Sequence, residues 1–266
     1  MKLYDILKEI QGKPKALILA GAPGAGKSSI IRDILSQFDL KVLNVDDFYV
    51  QDLIRRGVSL DMKNATPEER SQQAKAMGLS KKQYDAALDT AVDANESIVV
   101  DGTGASSTST LNLNKKLKEA GYDTMMLYVY TSLEQSLERN EKRFEKSQGK
   151  DRSLPPAIVF GTWARVTGNF SIYFNEFGKD FVAVVNDPTP FTEKSVEDII
   201  VKYLDPFKPT DTKPKTPAQQ ASSDKRKAKT NKLVANFLQK DQVQNVIDNS
   251  VTKEEAQSKI KAFLSL

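Results

Sequence analysis

The sequence of 266 residues contains no cysteine and no histidine. The absence of cysteine excludes disulfides and thiolate catalysis, and the absence of histidine excludes an imidazole base. Without either residue the usual zinc sites are excluded as well. Proton transfer must therefore fall to Asp, Glu, Lys or Tyr, and a bound metal must have oxygen ligands.

Long apolar runs are also missing, because no stretch approaches the roughly 20 residues that span a bilayer. The first ten residues form an amphipathic helical pattern with acidic residues and no long apolar core, which is not the pattern of a secretory signal. With 39% hydrophobic and 28% charged residues, the composition is typical of a soluble globular protein. We therefore expect a cytoplasmic location and no membrane partner.

The net charge of +4 is unevenly distributed along the chain. Residues 205–232 contain eight Lys or Arg against three Asp, a net of +5, so the remainder sums to −1. This stretch is rich in Pro, Lys, Thr, Ser and Gln and predicts a linker. The sequence thus predicts a main domain at 1–204, a basic linker at 205–232 and a small helical segment at 233–266. In the near-neutral main domain, local arginines must capture an anionic substrate.

The clearest functional motif is a phosphate-binding loop of the pattern G-x-x-x-x-G-K-[ST]. An apolar run at 16–20 precedes it and a helical pattern follows it, as the motif requires. Its backbone N–H groups can bind phosphate oxygens, its lysine can reach the β- and γ-phosphates, and its serine can bind Mg²⁺. The alternative interpretation is that the motif is only a glycine-rich turn between a strand and a helix, with no phosphate-binding role. The motif reads Gly21-Ala22-Pro23-Gly24-Ala25-Gly26-Lys27-Ser28.

Five strands that alternate with helices are predicted from mostly apolar runs at 16–20, 41–45, 97–100, 125–130 and 181–185. This order indicates an α/β fold of the P-loop NTPase type, with a mostly parallel sheet and helices on both faces. One helix is expected to start at Pro67 and another at Ser80, where Gln83 completes a capping box. Pro155-Pro156 introduces one long helix with an apolar and aromatic stripe running to Phe177, which we expect in the core.

Acidic residues stand where two predicted strands end, and such strand ends carry catalytic groups in open α/β sheets. Asp46 can accept the proton of a substrate hydroxyl, although a helix cap or a solvated turn also uses such residues. Asp101 is placed to bind Mg²⁺ directly or through water, and Thr103 follows it in a turn. A charged helix and the loop after it contain arginines suited to a transferring phosphoryl group or to a solvated face: Arg139, Arg143 and Arg152.

In order along the chain these motifs are Gly21 to Ser29, Val45-Asp46-Asp47-Phe48, Val99 to Gly104, Glu138-Arg139 and Asp151 to Pro155. Over roughly residues 15–187 the sequence resembles the zeta-toxin group of P-loop kinases and, more distantly, polynucleotide kinases. The resemblance implies Mg²⁺-dependent transfer of a γ-phosphoryl group from ATP or GTP to a sugar hydroxyl of a UDP-N-acetyl sugar. It implies Asp46 as the base, and Arg139 and Arg152, thirteen residues apart, as phosphate-clamping arginines.

The resemblance also implies positions for the two substrates. Ser29 belongs to the nucleotide-binding loop, and Asn186 is expected beside the nucleotide base. Asp85 stands where family members have a substrate-binding glutamate, and Asp101 also replaces a glutamate of the toxin. The small-molecule acceptor is expected to contact Asp47, Asp85, Thr103 and Arg143.

Two other functions remain open from the sequence. A polynucleotide 5′-hydroxyl kinase would share the loop, base and arginines, and the cluster Lys225-Arg226-Lys227 could hold a phosphate backbone. This cluster lies in the predicted linker without interleaved aromatic residues, so nucleic acid is the less favoured partner. Alternatively, a nucleotide-dependent binding module would recruit a protein partner through residues 233–266. A pure binding module, however, needs no base on the acceptor side.

Overall fold

The sheet is the central element of the computed structural model, which describes residues 12–148, 151–187 and 240–265 and the single residue Pro217. Its strands lie in the order β2-β3-β1-β4-β5, and all four pairings are parallel. The predicted α/β fold with a mostly parallel sheet is confirmed. The strands are β1 (Lys15–Ala20), β2 (Lys41–Leu43), β3 (Ile98–Asp101), β4 (Asp123–Tyr130) and β5 (Phe181–Val185).

Strand β1 is central because its apolar run can be buried on both faces, and all six of its residues are buried. It pairs with β3 on one side and with β4 on the other. In the first pairing Leu19 lies opposite Asp101. The carboxylate at the end of β3 is therefore next to the start of the phosphate loop that follows β1.

Helices cover both faces of this sheet and form two hydrophobic clusters with it. No helix within the described ranges is both long enough and apolar enough to cross a membrane. The helices are α1 (Lys27–Leu35), α2 (Val45–Arg55), α3 (Pro67–Asp93), α4 (Ser107–Glu119), α5 (Leu133–Lys146), α6 (Pro156–Gly168), α7 (Phe170–Phe177), α8 (Lys240–Asp248) and α9 (Lys253–Ser265).

The predicted helix start at Ser80 is wrong, because α3 runs without a break for 27 residues. It begins at Pro67, as predicted, and Thr66 and Glu69 form its capping box. The Ser80 hydroxyl donates to the carbonyl of Ala76 at 2.8 Å and is buried within the helix. A serine that can cap a helix is thus satisfied inside one instead.

The second predicted strand ends two residues early, at Leu43, because Asn44 caps α2. The Asn44 side-chain oxygen accepts a hydrogen bond from the backbone N–H of Asp46 at 2.8 Å. Asp46 and Asp47 consequently lie in the first turn of α2, where the helix dipole favours negative charge.

The long helix predicted after Pro155 is divided at Asn169 into α6 and α7. The Asn169 side chain donates to the Gly104 carbonyl at 2.9 Å, so a contact from a distant loop accompanies the break. The aromatic stripe still lies mostly in the core: Phe170 and Phe177 are buried, and Phe174 is 40% exposed while contacting Phe170 and Phe181.

The carboxyl-terminal helices pack on the main domain. The backbone N–H of Val251, between α8 and α9, donates to the Ala183 carbonyl of β5 at 2.8 Å. Helix α9 buries Ala256, Ile260 and Phe263 in the cluster that also contains α1. Several parts of the predicted organisation lie outside the described residues: the helical pattern of the first ten residues, the end of the main domain at 188–204, the linker at 205–232 apart from Pro217, and residues 233–239.

Candidate active site

The phosphate loop connects β1 to α1, and glycines let its backbone turn where other residues would be strained. Gly24 and Gly26 have φ angles of 78° and 88°. A Cβ atom on Gly26 would lie 2.2 Å from Nδ2 of Asn186, so a larger residue would need both strain and displacement of that side chain. Gly26 also caps α1 without any side-chain hydrogen bond. The first N–H groups of α1 can therefore face a ligand, apart from that of Ser29, which donates to the Gly26 carbonyl at 3.0 Å.

Side chains from outside the loop bind its carbonyl groups. The Ser136 hydroxyl donates to the Pro23 carbonyl, and the Arg139 guanidinium donates to the Gly24 carbonyl at 3.1 Å. The Asn186 amide donates to the Ala25 carbonyl at 2.7 Å. Arg139 also donates to the Asn186 carbonyl at 3.0 Å, which joins two of these anchors. With successive carbonyls bound in this way, the loop is held in one conformation before any ligand arrives.

A cleft of about 800 Å³ opens in front of the loop, between α2, the turn after β3 and the chain from α5 to α6. It brings together most of the predicted site residues. Arg139 and Asn186 instead bind the loop, as described above, and Asp85 lines a neighbouring cavity. Gly21 and Ala22, the first two residues of the loop, are buried behind the cleft lining. The predicted residues that line the cleft are Pro23, Gly24, Ala25, Gly26, Lys27, Ser28, Ser29, Asp46, Asp47, Asp101, Thr103, Arg143 and Arg152.

Lys27 and Asp101 form the inner end of the cleft. The Lys27 ammonium donates to the Gly21 carbonyl at 3.1 Å and lies 3.9 Å from the Asp101 carboxylate. Burial lowers the pKa of Lys27, and nearby Arg143 and Arg152 lower it further, whereas Asp101 and Asp46 oppose the shift. Burial raises the pKa of Asp101, although Lys27 acts against this shift. Asn44 holds the Asp101 carboxylate through a 3.1 Å hydrogen bond.

Asp46 faces an arginine across the cleft. Its carboxylate forms an ion pair with Arg152, whose side chain is only 12% exposed against 42% for Asp46. The Arg152 guanidinium also lies 5.8 Å from the centre of the Tyr49 ring. Burial raises the pKa of the adjacent Asp47, with Asp101 and Asp46 adding to the shift. The cleft therefore holds a carboxylate and a partly buried arginine close to the phosphate loop.

A second cavity of about 370 Å³ adjoins the cleft and shares Val45, Asp101 and Gly102 with it. Asp85 and Tyr84 of α3 line it, together with apolar side chains of the sheet. Burial raises the pKa of Tyr84 to about 12, so its phenol is uncharged at neutral pH. Asp85, which was predicted to contact the acceptor, thus lies in a cavity next to the cleft and away from the phosphate loop.

The model of the family described as "Zeta toxin" matches residues 3–185. The chain belongs to the zeta toxin family. No curated protein matches it significantly.

Among solved structures, this zeta toxin family member is similar to "AvrRxo1-ORF1:AvrRxo1-ORF2 with sulphate ions", at 19% identity and a TM-score of 0.51, over 66% of this chain and 56% of the other. This likeness shows the fold alone. The PezAT toxin–antitoxin system of Streptococcus pneumoniae matches at 14% identity, with a TM-score of 0.47, over 86% and 88% of the two chains.

A chain of the Pnkp1/Rnl/Hen1 RNA repair complex matches at 22% identity, with a TM-score of 0.46, over 60% of this chain. This family member spans less than half of that chain's length, 46%.

Several residues of the site were not predicted from the sequence. Ser136 and Asn44 act on the loop and on Asp101 through side-chain hydrogen bonds, and Arg165 lines the cleft from α6. Arg165 is the basic residue in the last turn of an otherwise apolar helix. This isolated charge could have marked Arg165 as a candidate site residue. Whether its side chain reaches the cleft, however, depends on how α6 packs.

Proposed function

We propose that this zeta toxin family member is a kinase that transfers the γ-phosphoryl group of ATP or GTP to a hydroxyl of a small molecule. The family and its fold support a phosphotransferase. The observation that carries the proposal is that one cleft is lined by the phosphate-loop lysine, Lys27, and by the Asp46–Arg152 pair. A protein that only bound nucleotide would need Lys27 but not the Asp46–Arg152 pair. We propose a sugar nucleotide, such as a UDP-N-acetyl sugar, as the acceptor.

The phosphates of the donor would bind the loop amides and Lys27. Ser28 and Asp101 fit a divalent metal that prefers hard oxygen ligands, because an exposed hydroxyl and a partly buried carboxylate line the same cleft. Bound there, Mg²⁺ would offset phosphate charge. Asn186 is proposed to help form the base pocket while its amide also holds the loop.

The reaction begins when the acceptor hydroxyl approaches Asp46. The acceptor oxygen attacks the γ-phosphorus, the bond between that phosphorus and the β–γ bridging oxygen breaks, and the nucleoside diphosphate leaves. The hydroxyl proton passes to the Asp46 carboxylate. Incoming phosphate competes with Asp46 for the Arg152 guanidinium, which frees the carboxylate and moves the positive charge to the transferring group.

The arginines divide this work according to their contacts. Arg152, and Arg143 from the same side of the cleft, stabilise the charge on the phosphoryl group. Arg143 lies 3.5 Å from Asp151, an exchangeable contact near the surface. Arg139 contributes by holding the Gly24 carbonyl, and so the amides of the loop, in place.

The acceptor would extend from Asp46 toward the cavity that adjoins the cleft. Asp47 and Thr103 lie along this path, and Asp85 lies inside the cavity. Carboxylates are suitable acceptors for the hydroxyl groups of a sugar. The apolar walls of the cavity suit the ring of a base or sugar.

Asp46→Asn tests the base. ATP consumption by the wild type should rise when a UDP-N-acetyl sugar is added, and the substitution should abolish this rise while ATP binding changes little. Asp93→Asn, which changes an exposed aspartate at the end of α3, is the matched control. An unchanged rate in Asp46→Asn would exclude the assigned base. Labelled phosphate on 5′-hydroxyl oligonucleotides but on no sugar nucleotide would instead favour a polynucleotide kinase.

A further inference from the structure

Four cationic side chains line the cleft, and three of them lie near a carboxylate. Lys27 is 3.9 Å from Asp101, Arg143 is 3.5 Å from Asp151, and Arg152 pairs with Asp46. Arg165 differs, since no carboxylate among the described residues lies within ion-pair distance of it. Within the described ranges, its side chain makes one hydrogen bond, a long one of 3.5 Å to the Thr162 hydroxyl.

Arg165 projects from a rigid part of the protein. Its neighbours on α6 are buried, and the indole N–H of Trp163 donates to the Thr131 carbonyl at 2.8 Å. The side chain itself is exposed and leans back along the helix, with one guanidinium nitrogen near Gly161. A fixed helix thus holds an exposed guanidinium at the wall of the cleft.

The position of Arg165 along the cleft is set by the end of its helix. One turn later, Asn169 donates to the Gly104 carbonyl at 2.9 Å, and the Tyr173 hydroxyl donates to the same carbonyl at 2.6 Å. The helix that carries Arg165 is therefore tied to the turn in which Thr103 and Ala105 line the same cleft. Near Lys27, the arginines that lower the pKa of its ammonium group are Arg143 and Arg152.

We propose that Arg165 is a specificity-determining residue that binds a phosphate or diphosphate group of the acceptor. This inference rests on the proposed kinase function and names the residue that would bind the diphosphate of the proposed sugar nucleotide. An arginine without a carboxylate partner can bind an oxyanion through two parallel N–H bonds without first breaking an ion pair. The Thr162 hydroxyl, next to the guanidinium, can donate a further hydrogen bond.

The test measures binding of UDP and of uridine to protein already saturated with a non-hydrolysable ATP analogue. Arg165→Met should weaken UDP binding by about 10- to 100-fold, the range for charge-assisted hydrogen bonds. It should leave the affinities for uridine and for the ATP analogue within about twofold. Arg165→Lys should recover part of the loss. Arg70→Met, which changes an exposed arginine of α3, is the control.

Several results would overturn this inference. They are unchanged UDP binding in Arg165→Met, equal weakening of UDP and uridine, equal weakening of the ATP analogue, or no saturable binding of UDP to the wild type. Phosphorylation of a UDP-N-acetyl sugar with an unchanged KM in Arg165→Met would also overturn it while leaving the kinase proposal standing. UDP binding that depends on Arg165, without transfer to any acceptor, would instead support the anion site and count against the kinase.

Discussion

The two sides of the cleft are built by different kinds of contact. On the donor side, Ser136, Arg139 and Asn186 bind consecutive carbonyl groups of the phosphate loop. On the acceptor side, Asp46 and Arg152 form an ion pair that a ligand can replace, and Arg165 is exposed. Hydrogen bonds to the backbone fix a conformation, whereas the Asp46 side chain is 42% exposed and its ion pair is open to replacement by a ligand. We infer that the donor side is formed in advance and that the acceptor side reorganises on binding.

Apart from Asp46→Asn, removing the ammonium group of Lys27 should have the largest effect on turnover. Lys27→Met should lower the rate of phosphoryl transfer about 1,000-fold, because the group is placed where phosphate charge develops. Single-turnover measurements at saturating ATP separate this loss from binding. Lys75→Met, on the exposed surface of α3, should retain the wild-type rate. Comparable losses in both variants would contradict a specific role of Lys27.

The donor side should also depend on α9, which packs behind α1. The Gln257 side chain donates to the Ile30 carbonyl at 2.7 Å, and Ile260 is fully buried. Ile260→Ala should lower the free energy of unfolding by about 2–5 kcal/mol, as expected for a buried aliphatic residue replaced by alanine. Chemical denaturation measures this loss. The exposed change Ser258→Ala should have almost no effect, and equal stability of both variants would show that α9 does not support the fold in solution.

Two arginine substitutions test the contrast between the sides directly. Arg152→Met should lower kcat by about 100-fold with little change in ATP affinity, because in the proposed reaction its guanidinium stabilises the transferring group. Arg139→Met should weaken ATP binding about tenfold, because it removes two hydrogen bonds that hold the loop and residue 186. Isothermal titration with an ATP analogue, combined with steady-state kinetics, separates the two effects. A large loss of kcat in Arg139→Met at unchanged ATP affinity would instead place Arg139 at the phosphoryl group.

The smallest expected effect is on the pH dependence of MgATP binding. Asp101 must be ionised to bind the metal, and burial raises its pKa above 3.8, so affinity should fall on acidification at a higher pH than an ordinary aspartate would give. Lys27 must be protonated, and burial lowers its pKa below 10.5, so affinity should also fall as the pH rises toward the lowered pKa. The acidic limb and the alkaline limb of the pH profile, where MgATP affinity is lost, should therefore both lie closer to neutral pH.

Lys27→Arg checks the assignment of the alkaline limb. Arginine stays protonated throughout this range, so the alkaline loss of MgATP affinity should move to higher pH while the acidic loss remains. Titrations across the pH range measure both limbs in the same protein. An alkaline limb that does not move would have to arise from another group.

Much of the fold could be predicted from the sequence because its strands are short apolar runs. The run at 181–185 is β5 without any change of boundary, and the other predicted strands differ from the observed ones by two residues or fewer at each end. The helix boundaries were predicted wrongly where the hydrogen-bond partner of a polar side chain could not be predicted from local sequence. Ser80 binds within its own helix, and Asn169 binds a carbonyl 65 residues away in sequence.

The sequence by itself determined the chemistry available to this zeta toxin family member. Without histidine or cysteine, any acid–base or metal-binding group must come from carboxylates, lysine or hydroxyls, and the phosphate-loop motif places Lys27 and Ser28 at one end of a helix. Only the tertiary structure decided which arginines face the cleft. Arg139 and Arg143 are one turn apart on α5, but the first binds the loop and the second lines the cleft. Side-chain direction depends on packing between distant elements, which local spacing does not encode.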